Sequence, residues 1–127
     1  MKRPKHILIV EDDRWQGEIY RDILEQRDFQ VTLCPGGQAA IEALDKRLPQ
    51  AIVLDMMLPD ANGIAFLHEL QSYEDSMAIP VIVCTTVQLT ASFRQALTHY
   101  GVHAVLDKAE ITPHQLAGLL AEMTTHE

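Results

Sequence analysis

Asp55 closes the apolar run 51–54 and is followed by Met56, Met57 and Leu58, then by a Pro-Asp-Ala-Asn-Gly turn. An apolar run bounded in this way reads as a buried strand of a parallel sheet. Open α/β sheets bind ligands just beyond the carboxyl ends of their strands, which puts Asp55 at the floor of a site. Taken alone, a loop aspartate making a turn hydrogen bond accounts for it equally well. Three other apolar runs also end on polar groups: 7–10 on Glu11-Asp12-Asp13, 81–84 on Thr85-Thr86, and 104–106 on Asp107-Lys108. Each of these also has an ordinary explanation, as a capping acid run, a strand-end hydroxyl or a surface lysine. Their joint occurrence at four strand ends favours a site.

The chemistry of such a site follows from its charges. Two unit charges about 4 Å apart repel by about 4 kcal/mol at an effective dielectric of about 20, so Glu11, Asp12 and Asp55 in one cleft call for a neutralising cation. An all-oxygen set with few protein ligands and room for water suits Mg²⁺ better than a dehydrated Ca²⁺ cage. The sequence has no calcium-loop spacing and no His or Cys pattern for zinc. Lys108 adds a fixed cation and Thr85 a hydroxyl donor. An ionised aspartate, a metal, an ammonium and a hydroxyl together meet the needs of phosphoryl transfer.

The elements that must position these groups are legible as alternating patterns. Strands are predicted at His6–Val10, 29–34, 51–54, 81–84 and 104–106. Trp15, Ile19 and Ile23, with Tyr20 and Leu24, form the stripe of an amphipathic first helix capped by Asp13. A second helix over 38–48 buries Ala40, Ile41, Leu44 and Leu48 and ends at Pro49. Ile64, Leu67 and Leu70 line a third, and Phe93, Leu97 and Tyr100 a fourth that Gly101 stops. Thr112-Pro113 opens a fifth, with Leu116, Leu119, Leu120 and Met123 on its buried face. Strict βα alternation gives an α/β fold: a doubly wound, five-stranded parallel sheet in the order 2-1-3-4-5 with five helices. That order sets the first and third strands side by side and brings Glu11, Asp12 and Asp55 together.

Composition bounds the rest. The 127 residues, 47% hydrophobic and 22% charged, fit one soluble globular domain over 1–127. The net charge of −8 argues against a nucleic-acid surface. No apolar run reaches the roughly 20 residues of a membrane span, and the basic start has too short an apolar run for a signal peptide; the chain reads as cytoplasmic. Cys34 and Cys84 fall on strands three positions apart, roughly 14 Å at about 4.8 Å per spacing. A disulfide needs Cα atoms within about 7 Å, so both are expected as reduced core thiols.

ILIVEDD, IVLDMMLPDANG, PVIVCTT and the lysine of VLDK, in this order and spacing, resemble a bacterial two-component response-regulator receiver domain of the chemotaxis-regulator type. The resemblance covers essentially the whole chain. It implies that Asp55 is the phosphoacceptor and that Asp12 and Asp55 are direct Mg²⁺ ligands, with Glu11 acting through water and Met57 through its backbone carbonyl. It makes Thr85 the switch hydroxyl and Lys108 the phosphoryl-pairing lysine; Asp13 takes a third acidic position that is not a ligand. The implied partners are a sensor histidine kinase or phosphotransfer protein and a downstream target or effector domain. The target reads the face made by the fourth helix, fifth strand and fifth helix, which is also a possible homodimer surface. Nucleic acid and membrane are not expected partners, and the only chemistry implied is the domain's own phosphorylation and dephosphorylation.

The sequence departs from the family pattern at several positions. Ala109 stands where a proline with a cis bond is usual. A cis non-proline bond costs about 2.5 to 4 kcal/mol, so a trans bond and a less firmly placed Lys108 are expected. Val105 replaces the usual aromatic switch residue, and Thr86 is bulkier than the usual small neighbour of the switch hydroxyl. Met57 and Val87 occupy the positions that govern water access in the family, and neither side chain orients a water; slow self-dephosphorylation is expected. Ala109 and Val105 support one rival, an interaction-only receiver that is not phosphorylated. A second rival, a Mg²⁺-dependent aspartyl-phosphate phosphatase, lacks its D-x-D signature here, because Met56-Met57 follows Asp55.

Overall fold

Runs of four apolar residues form the three central strands of the computed structural model, which describes residues 4–56, 63–73, 75–76, 78–86 and 88–125. The order is β1 (His6–Val10), α1 (Arg14–Gln26), β2 (Gln30–Cys34), α2 (Gly37–Lys46), β3 (Ala51–Asp55), α3 (Gly63–Gln71), β4 (Val81–Thr85), α4 (Ala91–His99), β5 (Val102–Asp107) and α5 (Pro113–Thr124). The strands pair in parallel in the order β2-β1-β3-β4-β5. The central strands β1, β3 and β4 are buried at every position, as expected where both faces of a parallel sheet are covered. Alternation within them splits the core in two. Leu8, Val10, Ile52, Leu54 and Val83 pack with Leu44, Phe66, Leu67 and Leu97 of α2, α3 and α4. Ile7, Ile9, Val53, Ile82 and Cys84 pack with Tyr20, Leu24, Leu116 and Leu120 of α1 and α5.

Local chemistry sets the helix ends. Asp13 caps α1 by accepting from Gln16 N at 3.2 Å, and Thr90 caps α4 by accepting from Phe93 N at 3.1 Å. Thr112 and Gln115 form a reciprocal capping box with Pro113 in the first turn of α5. Gly101 follows α4 at φ 77°, in the left-handed region that glycine reaches without penalty. At Gly17, a Cβ would come within 2.7 Å of the Leu33 side chain, so the close approach of α1 to β2 is eased by glycine, and a larger residue would have to displace the Leu33 methyls.

Two expectations are corrected. The second helix stops at Lys46 rather than Leu48, and Leu48 is 44% exposed instead of buried. Leu48 precedes Pro49, which disfavours helical backbone there, and extended Arg47 turns its guanidinium to Gln30 Oε1 at 2.7 Å. Trp15 does not belong to the buried stripe of α1; it is 74% exposed. The buried face is Gly17, Tyr20 and Leu24, spaced i, i+3, i+7, and Trp15 lies about 200° around the helix from Gly17 at about 100° per residue. Cys34 and Cys84 are free and buried.

Candidate functional site

β1 and β3 are neighbours with Val10 opposite Leu54, so the residues that follow them meet at the carboxyl edge of the sheet. Glu11 is 4% exposed and Asp55 6% exposed, while Asp12 is exposed. One carboxylate oxygen from each of Glu11, Asp12 and Asp55 lies within 4.8 Å of the others. Two acids on the floor and one at the mouth make a hard-oxygen set open to solvent on one side. That donor set fits a divalent cation that keeps part of its water, as Mg²⁺ does.

Lys108 enters from the end of β5. Its Nζ donates to Glu11 Oε1 at 2.6 Å, to Asp55 Oδ2 at 3.1 Å and to Gln16 Oε1 at 3.2 Å. An ammonium has three N–H donors, and each has an acceptor here. The peptide bonds around Lys108 are trans, as expected with Ala109. The expectation of a loosely placed Lys108 is corrected: its side chain is 9% exposed and triply held. The loop is fixed by other means. Lys108 N donates to the Thr85 carbonyl at 3.0 Å, tying the ends of β4 and β5 together. Asp107 Oδ1 accepts from Ala109 N at 2.8 Å, and its carbonyl accepts from Glu110 N and Ile111 N at 3.0 Å.

Two buried acids share one ammonium, with Asp12 close by, and the surplus charge appears in the titration of Glu11 and Lys108. Burial, then the adjoining Asp55 carboxylate, push Glu11 up to about 7 against the opposing pull of Lys108. Burial draws Lys108 down, but hydrogen bonds and charge from Glu11 and Asp55 outweigh it and hold the ammonium above its ordinary range. Glu11 is thus held well above the ordinary carboxylate range, while Lys108 stays charged. Burial pushes the nearby Cys84 thiol up to about 12, which leaves it an inert core group.

Thr85 ends β4 beside this cluster and is 3% exposed; Thr86 is exposed. Val105 is half-buried and packs against the core face shared by α2, α3 and α4. Met57 and Val87 lie outside the described residues, as does most of the turn after Asp55. Sequence reasoning missed Gln16 and Asp107. Asp107 carried a signal, since aspartate before a turn commonly accepts from the backbone two residues on. Gln16 carried none, because only the fold, which brings the first turn of α1 to the loop after β5, reveals its reach.

Among the described residues no helix is long and apolar enough to cross a membrane. Residues 7–120 match the family model of the response regulator receiver domain. The chain is 33% identical over 120 residues to Response regulator MprA of Mycolicibacterium vanbaalenii, covering 94% of this chain and 49% of that protein. It therefore spans about half the length of that relative. A CheY-like receiver domain from Methanospirillum hungatei superposes with a TM-score of 0.86 at 20% identity, over 97% of this chain and 95% of that one; this likeness concerns the fold. The Mn²⁺-bound form of response regulator Rcp1 superposes with a TM-score of 0.82 at 25% identity, over 98% of this chain and 97% of that one. Matched along nearly its whole length, and folded in the same strand order, the chain belongs to the response regulator receiver domain family.

Proposed function

We propose that this receiver domain is a phosphorylation-controlled switch in which Asp55 takes a phosphoryl group from a phosphohistidine of a sensor kinase or phosphotransfer protein. The observation that carries the reading is Lys108 Nζ, seated between Glu11 Oε1 at 2.6 Å and Asp55 Oδ2 at 3.1 Å beside the three-carboxylate cluster. An Asp55 oxygen attacks phosphorus, the O–P bond forms as the P–N bond breaks, and the electron pair returns to the imidazole, which takes up a proton. Lys108 offsets charge on the transferring oxygens without needing to reorganise. Thr85, buried at the end of β4, supplies the hydroxyl that meets the new phosphoryl group. Asp12, Asp55, Glu11 through water and the Met57 carbonyl would hold Mg²⁺, whose charge neutralises the crowded acids and the incoming phosphoryl oxygens. A neighbour of the same fold that holds Mn²⁺ supports a divalent cation at such a cluster.

The phosphorylated state biases the α4–β5–α5 surface, which a target protein or effector domain reads in the cytoplasm. The domain catalyses only its own loading and reset, and because Met57 and Val87 fill the two positions that govern water access in the family with side chains that cannot orient a water, the reset is slow. The interaction-only alternative drew on Ala109 and Val105; the three acceptors of Lys108 weigh against the first of these. Incubation with acetyl phosphate and Mg²⁺ should add one phosphoryl mass, on Asp55. Loading at another residue, or none under conditions that load other receivers, overturns the reading.

A further inference from the structure

Of the three acceptors around Lys108 Nζ, the Gln16 amide oxygen alone is uncharged. It also closes a ring. Glu11 Oε2 accepts from Asp13 N at 3.3 Å, and Asp13 Oδ1 accepts from Gln16 N at 3.2 Å. Gln16 Oε1 accepts from Lys108 Nζ at 3.2 Å, and Lys108 Nζ returns to Glu11 Oε1 at 2.6 Å. The cap that starts α1 therefore also aims the side chain that holds the lysine. Lysine is a compact charge on a flexible four-carbon stem, and its loop contacts fix only the backbone.

The other two acceptors, Glu11 and Asp55, are the groups that phosphoryl transfer would engage elsewhere. As their oxygens turn to a cation or to phosphorus, their hold on the ammonium weakens. A neutral amide draws a divalent cation less strongly than the three carboxylates of the cluster do, so its oxygen stays with Lys108. We propose that Gln16 is a positioning residue that holds the Lys108 ammonium over Asp55 through phosphoryl transfer, an inference that rests on the function proposed above. It fills the part that a rigid bond after the lysine would otherwise take.

The test uses the full chain with Gln16→Leu, which keeps size without the acceptor, and Gln16→Glu, which keeps an acceptor at the same reach; Gln16→Ala replaces the first if it does not fold. Two readouts are taken. The first is the rate of loading by acetyl phosphate with Mg²⁺. The second, on metal-free protein, is acylation of Lys108 by an amine-reactive ester, scored against exposed Lys46 in the same molecule. Gln16→Leu should slow loading about tenfold, the scale of one charge-assisted hydrogen bond, and raise Lys108 acylation relative to Lys46. Gln16→Glu should restore protection of Lys108 and most of the loading rate. Wild-type protein that does not load removes both the function and this inference. Wild-type loading with either readout unchanged in Gln16→Leu, or no recovery in Gln16→Glu, overturns the role of Gln16 alone.

Discussion

At the amino ends of the strands, polar groups pair with one another, and the buried His6 Nδ1 is left without a hydrogen-bond partner among the described residues. The His6 ring meets Thr32 Oγ1 at 2.7 Å through Nε2, and Gln50 clamps the His6 backbone at 2.6 and 2.8 Å. Arg47 donates to Gln30. Burial, then the nearby Arg47 charge, lower the His6 pKa, and the Leu48 carbonyl works the other way more weakly; the ring is held neutral. At the carboxyl ends, 4% exposed Glu11 and 6% exposed Asp55 share the Lys108 ammonium, with Asp12 beside them. One end of the same sheet disposes of charge and the other accumulates it. Burying like charges costs stability, so a fold retains such a cluster where a ligand or a reaction uses it.

The largest effect is expected from Asp55→Asn. It should abolish loading by acetyl phosphate, and the metal-free protein should melt at a higher temperature, by an amount on the order of 1–3 kcal/mol, as the like-charge contact with Glu11 disappears. Calorimetry without metal checks this. A lower melting temperature would mean that Asp55 is held in net attraction and that the two ends do not differ as argued.

Next in size is a pair of opposed pH dependences. Glu11 titrates near 4.5 when unfolded and near 7 when folded. The folded state therefore binds more protons in that window, and metal-free stability should fall as pH rises through it, by up to about 3 kcal/mol. His6 is lowered from 6.5, so the folded state binds fewer protons below 6.5 and stability should rise with pH up to that value. In the wild type the slopes partly cancel between about 4.5 and 6.5. Glu11→Gln should unmask the rising slope and His6→Gln the falling one, followed by urea unfolding across pH. Saturating Mg²⁺ should remove the falling slope alone; its loss in His6→Gln instead would invert the assignment.

What the sequence made legible is what depends on periodicity and spacing. The strand order, the meeting of Glu11, Asp12 and Asp55, the Asp13 and Thr112 caps and the reduced state of Cys34 and Cys84 follow from apolar runs and their polar ends. What escaped depends on competition between particular side chains. Leu48 reads as helical and buried until Arg47 leaves the helix for Gln30. Trp15 fits an apolar stripe by spacing, but contact with β2 selects the face of Gly17. Ala109 suggests a loosened Lys108 because neither the Asp107 turn after β5 nor the reach of Gln16 from the first turn of α1 shows in the spacing.

The smallest expected effect reads the two ends with one probe. Trp15 is the only tryptophan. It borders a cleft of about 470 Å³ with Asp13, Gln16, Lys108 and Pro113, three residues along the chain from Asp12. Its 74% exposure limits the response, since an indole already in water changes little when its neighbours rearrange. Mg²⁺ should still produce a small saturable fluorescence change, because a cation among the carboxylates alters the field at the start of α1. The change should vanish in Asp12→Ala and persist in His6→Gln, whose altered group lies at the opposite edge of the sheet. If Asp12→Ala keeps it, the cation is bound elsewhere on a chain of net charge −8, and the carboxyl edge loses its claim to be the place where charge is stored for use.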